Sequence, residues 1–132
     1  MTITPQRFFT GQSDAKPDVI VDFIFEQGSL FIAVINIGDA PAYGTSVTFN
    51  KEIRGVGGSK LISGMSLFRR IEFMPPRKRI STFLDTSASY FGGGQPSEIE
   101  TTITFSDRQG NSYRNQIKHN LNIYRDIGYI RG

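Results

Sequence analysis

Along most of the 132-residue chain, apolar and polar residues alternate with a period of two. That is the spacing of a strand with one buried and one wetted face. The most informative stretch is residues 30–49, LFIAVINIGDAPAYGTSVTF. Leu30, Ile32 and Val34 fall on one side of an extended backbone, and Asn36 follows in the same phase. Gly38-Asp39-Ala40-Pro41 breaks the run, after which Val47 and Phe49 restart the alternation. The pattern predicts strand, turn, strand, with the short Asn36 amide placed to hydrogen-bond the backbone of the following turn.

The same logic extends in both directions. Val19, Val21, Phe23 and Phe25 alternate with Asp18, Asp22 and Glu26, and Gln27-Gly28 predicts a hairpin onto residues 30–37. That second strand is apolar on both parities, since Phe31, Ala33, Ile35 and Ile37 accompany the first set; such a strand is central or covered by a neighbouring segment. A third strand spans residues 43–50. Residues 54–64, RGVGGSKLISG, predict a loop with a short edge segment at 60–62. Extended structure resumes at 67–74, where Ile71 and Phe73 flank Glu72 as core residues would, and Pro75-Pro76 ends it because proline cannot donate to a ladder. A short strand at 79–84 leads into a second long loop, 85–97, holding Tyr90, Phe91 and three successive glycines; a helical turn at 86–90 is too short to count as an element. The clearest alternation follows, with Ile99, Thr101, Ile103 and Phe105 on one face. A turn at 107–111 leads to a last strand carrying Tyr113, Ile117, Leu121 and Ile123 on one parity.

Seven strands and no sustained helical period predict an all-β protein with under about a tenth helix, far below the usual share. The expected architecture is a two-sheet antiparallel β-sandwich of the immunoglobulin or fibronectin-III type, with a closed barrel as the alternative. Residues 17–125 make the sandwich. Residues 1–16 form an arm able to lay Phe8 and Phe9 on the domain, and 126–132 form a tail with Tyr129 and Ile130 along an edge. Parity assigns Val21, Phe23, Ile32, Val34, Val47, Phe49, Ile103, Phe105 and Leu121 to the core. If the strands alternate in direction, the two glycine-rich loops and Gln27-Gly28 share one end. Residues 38–42, 75–78 and 107–111 share the other.

Composition narrows the chemistry more than it defines it. There is no cysteine, which excludes disulfides, zinc–thiolate sites and a cysteine nucleophile. No apolar run approaches the ~20 residues of a membrane helix, and the first residues lack a signal-peptide pattern, so a cytoplasmic location is the default expectation. The formal charge of +3 offers modest attraction to acidic surfaces without implying nucleic acid.

The chemical motifs are fragments. His119 is the single histidine; it shares the parity of Ile117 and Leu121, and no Gly-x-Ser-x-Gly elbow supplies a serine for it. A partly buried, hydrogen-bonded side chain is the favoured reading. In GVGGSK, Ser59 precedes Lys60 and no helix follows, unlike a phosphate loop. Asp18 and Asp22 are too sparse for a metal site. The basic runs Arg69-Arg70 and Arg77-Lys78-Arg79 are the strongest charge feature; edge protection or solvation explains them best, then an acidic partner, with nucleic acid last.

The run Val34-Ile35-Asn36-Ile37-Gly38-Asp39-Ala40-Pro41-Ala42, followed by Val47-Thr48-Phe49, resembles the V-x-N-x-G-x-x-P-A signature of bacterial immunoglobulin-like domains, specifically the cell-adhesion-related domain found in bacteria. Residues 71–79 and 105–124 resemble a looser group of bacterial β-sandwich domains. Where such relatives often carry glycine after the prolines, this chain has Arg77-Lys78-Arg79. The resemblance implies a sandwich with a binding or spacer role and no catalytic residues.

The expected function is therefore a non-enzymatic interaction or structural module with another protein as partner and no cofactor. The alternative is a small ligand-binding or enzymatic domain using a pocket between the glycine-rich loops. The expected contact surface is the long-loop end, with Tyr90, Phe91, Arg54 and Lys60. Arg77, Lys78 and Arg108 at the opposite end would form a charge patch that only tunes the field.

Overall fold

A computed structural model of the protein describes residues 15–130, with side chains described through Ile127. The 1–16 arm therefore falls almost wholly outside the described residues, as do the Tyr129 and Ile130 side chains.

The seven long strands are β1 (Val19–Glu26), β2 (Ser29–Asn36), β3 (Ala42–Phe49), β6 (Ile71–Met74), β7 (Arg79–Thr86), β8 (Glu98–Ser106) and β9 (Ser112–Asn120). Two-residue strands β4 (Arg54–Gly55) and β5 (Lys60–Leu61) form a small hairpin of their own, at the place where the sequence predicts a short edge segment. One sheet has the order β1-β2-β7 and the other β9-β8-β3-β6, antiparallel throughout. This three-plus-four arrangement is an immunoglobulin/fibronectin-III-like β-sandwich.

The predicted hairpin between β1 and β2 turns at Gln27 (φ 51) and Gly28 (φ 82), the doubly left-handed turn whose twist suits a two-residue connection. Val19, Val21, Phe23, Leu30, Ile32 and Val34 project from this sheet into the interior, meeting Ala42, Val47, Met74, Ile99, Ile103 and Phe105 from the other. Of the nine residues assigned to the core by parity, eight are buried. Phe49, at the end of β3, is only half-buried, with its ring edge-on to Phe68.

Several corrections concern helices and parity. Helix, counting a 3-10 turn at Ile62–Gly64, accounts for 17% of the structure, not under a tenth. α1 (Ser66–Arg69) replaces the expected extended start of the fourth long strand and buries Phe68. α2 (Ser87–Gly92) is capped by the Thr86 hydroxyl, which accepts from Ser89 N at 3.2 Å. α3 (Asn122–Ile130) ends the last strand at Asn120, so Ile123 is 60% exposed instead of continuing the buried parity. Finally, Phe73 is 51% exposed while Met74 is buried. Phe73 pairs with Tyr43 on the outer surface, ring centroids 5.4 Å apart.

Candidate functional site

The two glycine-rich loops do meet at one end of the sandwich. Val56 N donates to Leu84 O at 3.0 Å and Ser87 N to Gly28 O at 2.8 Å. Arg54 N donates to the Gln95 side chain, while Gly57 N donates to Asp85 Oδ2 at 3.1 Å. Asp85 is buried, and its other oxygen accepts from Thr86 N. One carboxylate thus pins the tip of the first loop to the start of the second. A Cβ at Gly55 would collide with Leu84 O, so the hairpin can lie this close only with glycine there.

The expected contact residues at this end divide. Tyr90 is fully buried and its hydroxyl donates to Pro96 O at 2.6 Å. Burial, and then the charge of Asp85, push its pKa well above the usual tyrosine range. It is a core residue that closes the second loop on itself, which corrects the expectation of an exposed aromatic anchor. Phe91 is half-buried, edge-on to Tyr90 at 5.6 Å, with the Arg125 guanidinium 4.7 Å above its ring. Arg54 and Lys60 are exposed on the β4–β5 hairpin.

At the opposite end Asn36 organises the turn, as the sequence predicts. Its Oδ1 accepts from Asp18 N and Gly38 N, and its Nδ2 donates to Ala40 O and Met74 O, all within 3.1 Å. The buried amide is fully used and ties the two sheets together. Arg77, expected to tune charge only, is a clamp: Nη1 donates to Ile37 O and Gly38 O, and Nη2 pairs with Asp39 at 3.0 Å. Its φ of 73 is a backbone that few residues other than glycine tolerate; the three side-chain contacts offset the strain. Lys78 and Arg108 are exposed.

His119 is half-buried, its Nε2 3.0 Å from Thr101 Oγ1 and its ring edge-on to Phe23 at 4.9 Å. Burial lowers its pKa, against a smaller opposing pull from Asp22. The neutral ring packs and hydrogen-bonds within the fold. Beside it opens a cleft of about 400 Å³, where Glu100 sits directly across from Lys118. Among the described residues no three His, Asp or Glu side chains are grouped to hold a metal ion, and no helix is long and apolar enough to cross a membrane.

Among the described residues, the outer side of the three-stranded sheet has no element packed on it. Ile24, Phe31 and Phe83 form one cross-strand row, and Ile20 and Ile35 lie in another. Phe31 and Phe83 meet edge-on at 5.8 Å, and Phe83 is 41% exposed. Between the rows Asp22 pairs across the ladder with Ala33; it is exposed and has no ion-pair partner among the described residues. Among those residues no helix or second sheet is layered on this face. The sequence carried the signal, since β2 is apolar on both parities.

The architecture and the occupied polar groups define the class: an immunoglobulin/fibronectin-III-like β-sandwich. Within it, a family model described as a domain of unknown function, DUF8453, matches residues 6–125, and the chain belongs to that family. No curated protein and no solved structure gives a significant match.

Proposed function

We propose that this domain is a non-enzymatic interaction module that binds another protein through the outer face of its three-stranded sheet. One observation carries the reading: Ile24, Phe31 and Phe83 line up across that face, where a solvated sheet would present polar side chains. Contiguous apolar surface of this kind marks interaction sites. Asp22 at its centre, without an ion-pair partner among the described residues, calls for a partner whose apolar surface carries a cation, because complementary charge fixes orientation and excludes other partners. Three groups capable of acid–base chemistry have partners inside the fold: His119 on Thr101, Asp85 on loop amides, Asp107 on Asn111 and Tyr113. The resemblance to bacterial adhesion-related domains supports the same direction.

The test is binding of a partner captured from the native host and then reconstituted from purified components. Asp22→Lys should weaken that complex about tenfold or more, the equivalent of ~1.4 kcal/mol, without lowering the melting temperature. Lys118→Glu, on the opposite sheet, should leave it unchanged. The reverse ranking would place the contact surface on the four-stranded sheet and overturn the proposal.

A further inference from the structure

The sandwich has four sheet edges, and they are not equally protected. β1 is closed by side chains from the opposite sheet and the last helix. Asn115 Nδ2 donates to Val19 O and the Tyr124 hydroxyl donates to Phe23 O, both at 2.8 Å. β6 is only four residues long and carries the Arg70–Glu72 pair. β9 displays Arg114 and Lys118, the charged dressing that discourages edge pairing. β7 runs eight residues with one exposed charge, Arg79, at its start.

The ladder fixes which backbone groups of β7 are free. Asn36 N donates to Lys78 O at 3.0 Å. In an antiparallel pair the hydrogen-bonded positions alternate, so Ile80 and Thr82 face β2, while the N–H and C=O of Arg79, Ser81 and Phe83 face away. Val56 N covers Leu84 O at the far end. Apart from a long 3.4 Å contact from the Thr82 hydroxyl to Phe83 O, the outward groups of these three residues have no partner among the described residues.

We propose that this edge is a self-association site, at which a second copy adds its own β7 in antiparallel register about a two-fold axis at Ser81. The side chains select the register. Centring on Ser81 sets two small residues on the axis and places Arg79 of each copy across from Phe83 of the other, a guanidinium beside a ring it can stack on. Centring on Arg79 would oppose two like charges. Centring on Phe83 would drive the second copy into the β4–β5 hairpin at Leu84. A shift by one residue would send each outer side chain to the inner face. The product is an isologous pair with one continuous six-stranded sheet. It goes beyond the reading above, because it uses the β7 edge and, of the outer face, only Phe83, leaving Ile24, Phe31 and Asp22 uncovered by the second copy.

Sedimentation velocity of the full chain over a concentration series reaching the millimolar range tests it, with circular dichroism to confirm folding. The mass should rise from 14.8 kDa toward twice that value. Ser81→Pro removes an outward N–H without touching the ladder to β2 and should weaken association at least about tenfold. Phe83→Lys, which sets a lysine against Arg79, should abolish association, whereas Phe83→Glu should retain it through an ion pair. A chain lacking residues 1–14 should associate like the full chain; association by the shortened chain alone would make those residues the edge's occupant and overturn the proposal. A monomer at every concentration, association that survives Ser81→Pro, or equal loss in both Phe83 variants would each overturn the proposal. The Phe83 pair decides the matter even if Ser81→Pro fails to fold.

Discussion

The two sheets share one core yet present opposite outer surfaces. On the four-stranded sheet, Gln116, Thr102 and Thr48 form a cross-strand row, and Lys118 opposes Glu100 beside it. Every one of these side chains is content in water, and the pair of opposite charges suits a solvated ladder. On the three-stranded sheet the corresponding row is Ile24, Phe31 and Phe83. Solvation alone explains the first row and fails for the second; on the four-stranded sheet the outward Tyr43–Phe73 pair lies apart from that row, where β3 meets β6. β8 accordingly alternates cleanly in sequence, while β2 does not.

The contrast can be broken from the inside first. Phe105→Ala empties space between the sheets that both faces depend on, and should cost ~3–5 kcal/mol in denaturant melts. A loss below ~1 kcal/mol would mean that the two inner faces are not packed as described. Asn36→Ala is next. It strips the hydrogen bonds joining β2 of one sheet to Met74 of the other, and leaving buried groups unpaired should cost about 1–3 kcal/mol, again by denaturant melts.

His119 reports on the seam where β9 meets β1. Its pKa is lowered by burial, so below the unfolded value of about 6.5 the unfolded chain binds the proton more readily than the folded one. Stability is then fully present above that pH and declines as pH falls. His119→Gln should flatten the fall between about pH 7 and about pH 5; the same decline in both proteins would remove His119 as its cause.

The smallest stability effects belong to the outer surfaces, where they sharpen the comparison most. Phe83→Thr should cost under about 1 kcal/mol and reduce binding of a hydrophobic dye. Thr102→Phe should be similarly mild and raise dye binding. Equal dye binding by the two variants and the native chain would erase the distinction between the faces.

Sequence determined the strands, most of the core and the Asn36 turn, because period-two burial and a turn-forming amide are local properties written in adjacent residues. It also placed both glycine-rich loops at one end, since strand direction alternates. It misjudged Tyr90, because an aromatic in a glycine-rich loop looks the same whether it plugs the core or faces solvent. It read Phe73 as core from its alternation with Glu72, but α1 resets the phase before β6 and Met74 points inward instead. Asp85 escaped notice because a register shift between Leu30 and Phe31 buries it directly after Leu84, which no strict alternation allows. The Arg77 clamp, the Tyr124 and Asn115 seals on β1, and the exposed state of β7 depend on which strands become neighbours. That was decided only by the tertiary structure, since which distant segments become neighbours is set by how the strands pair across the chain and not by any one strand's own residues.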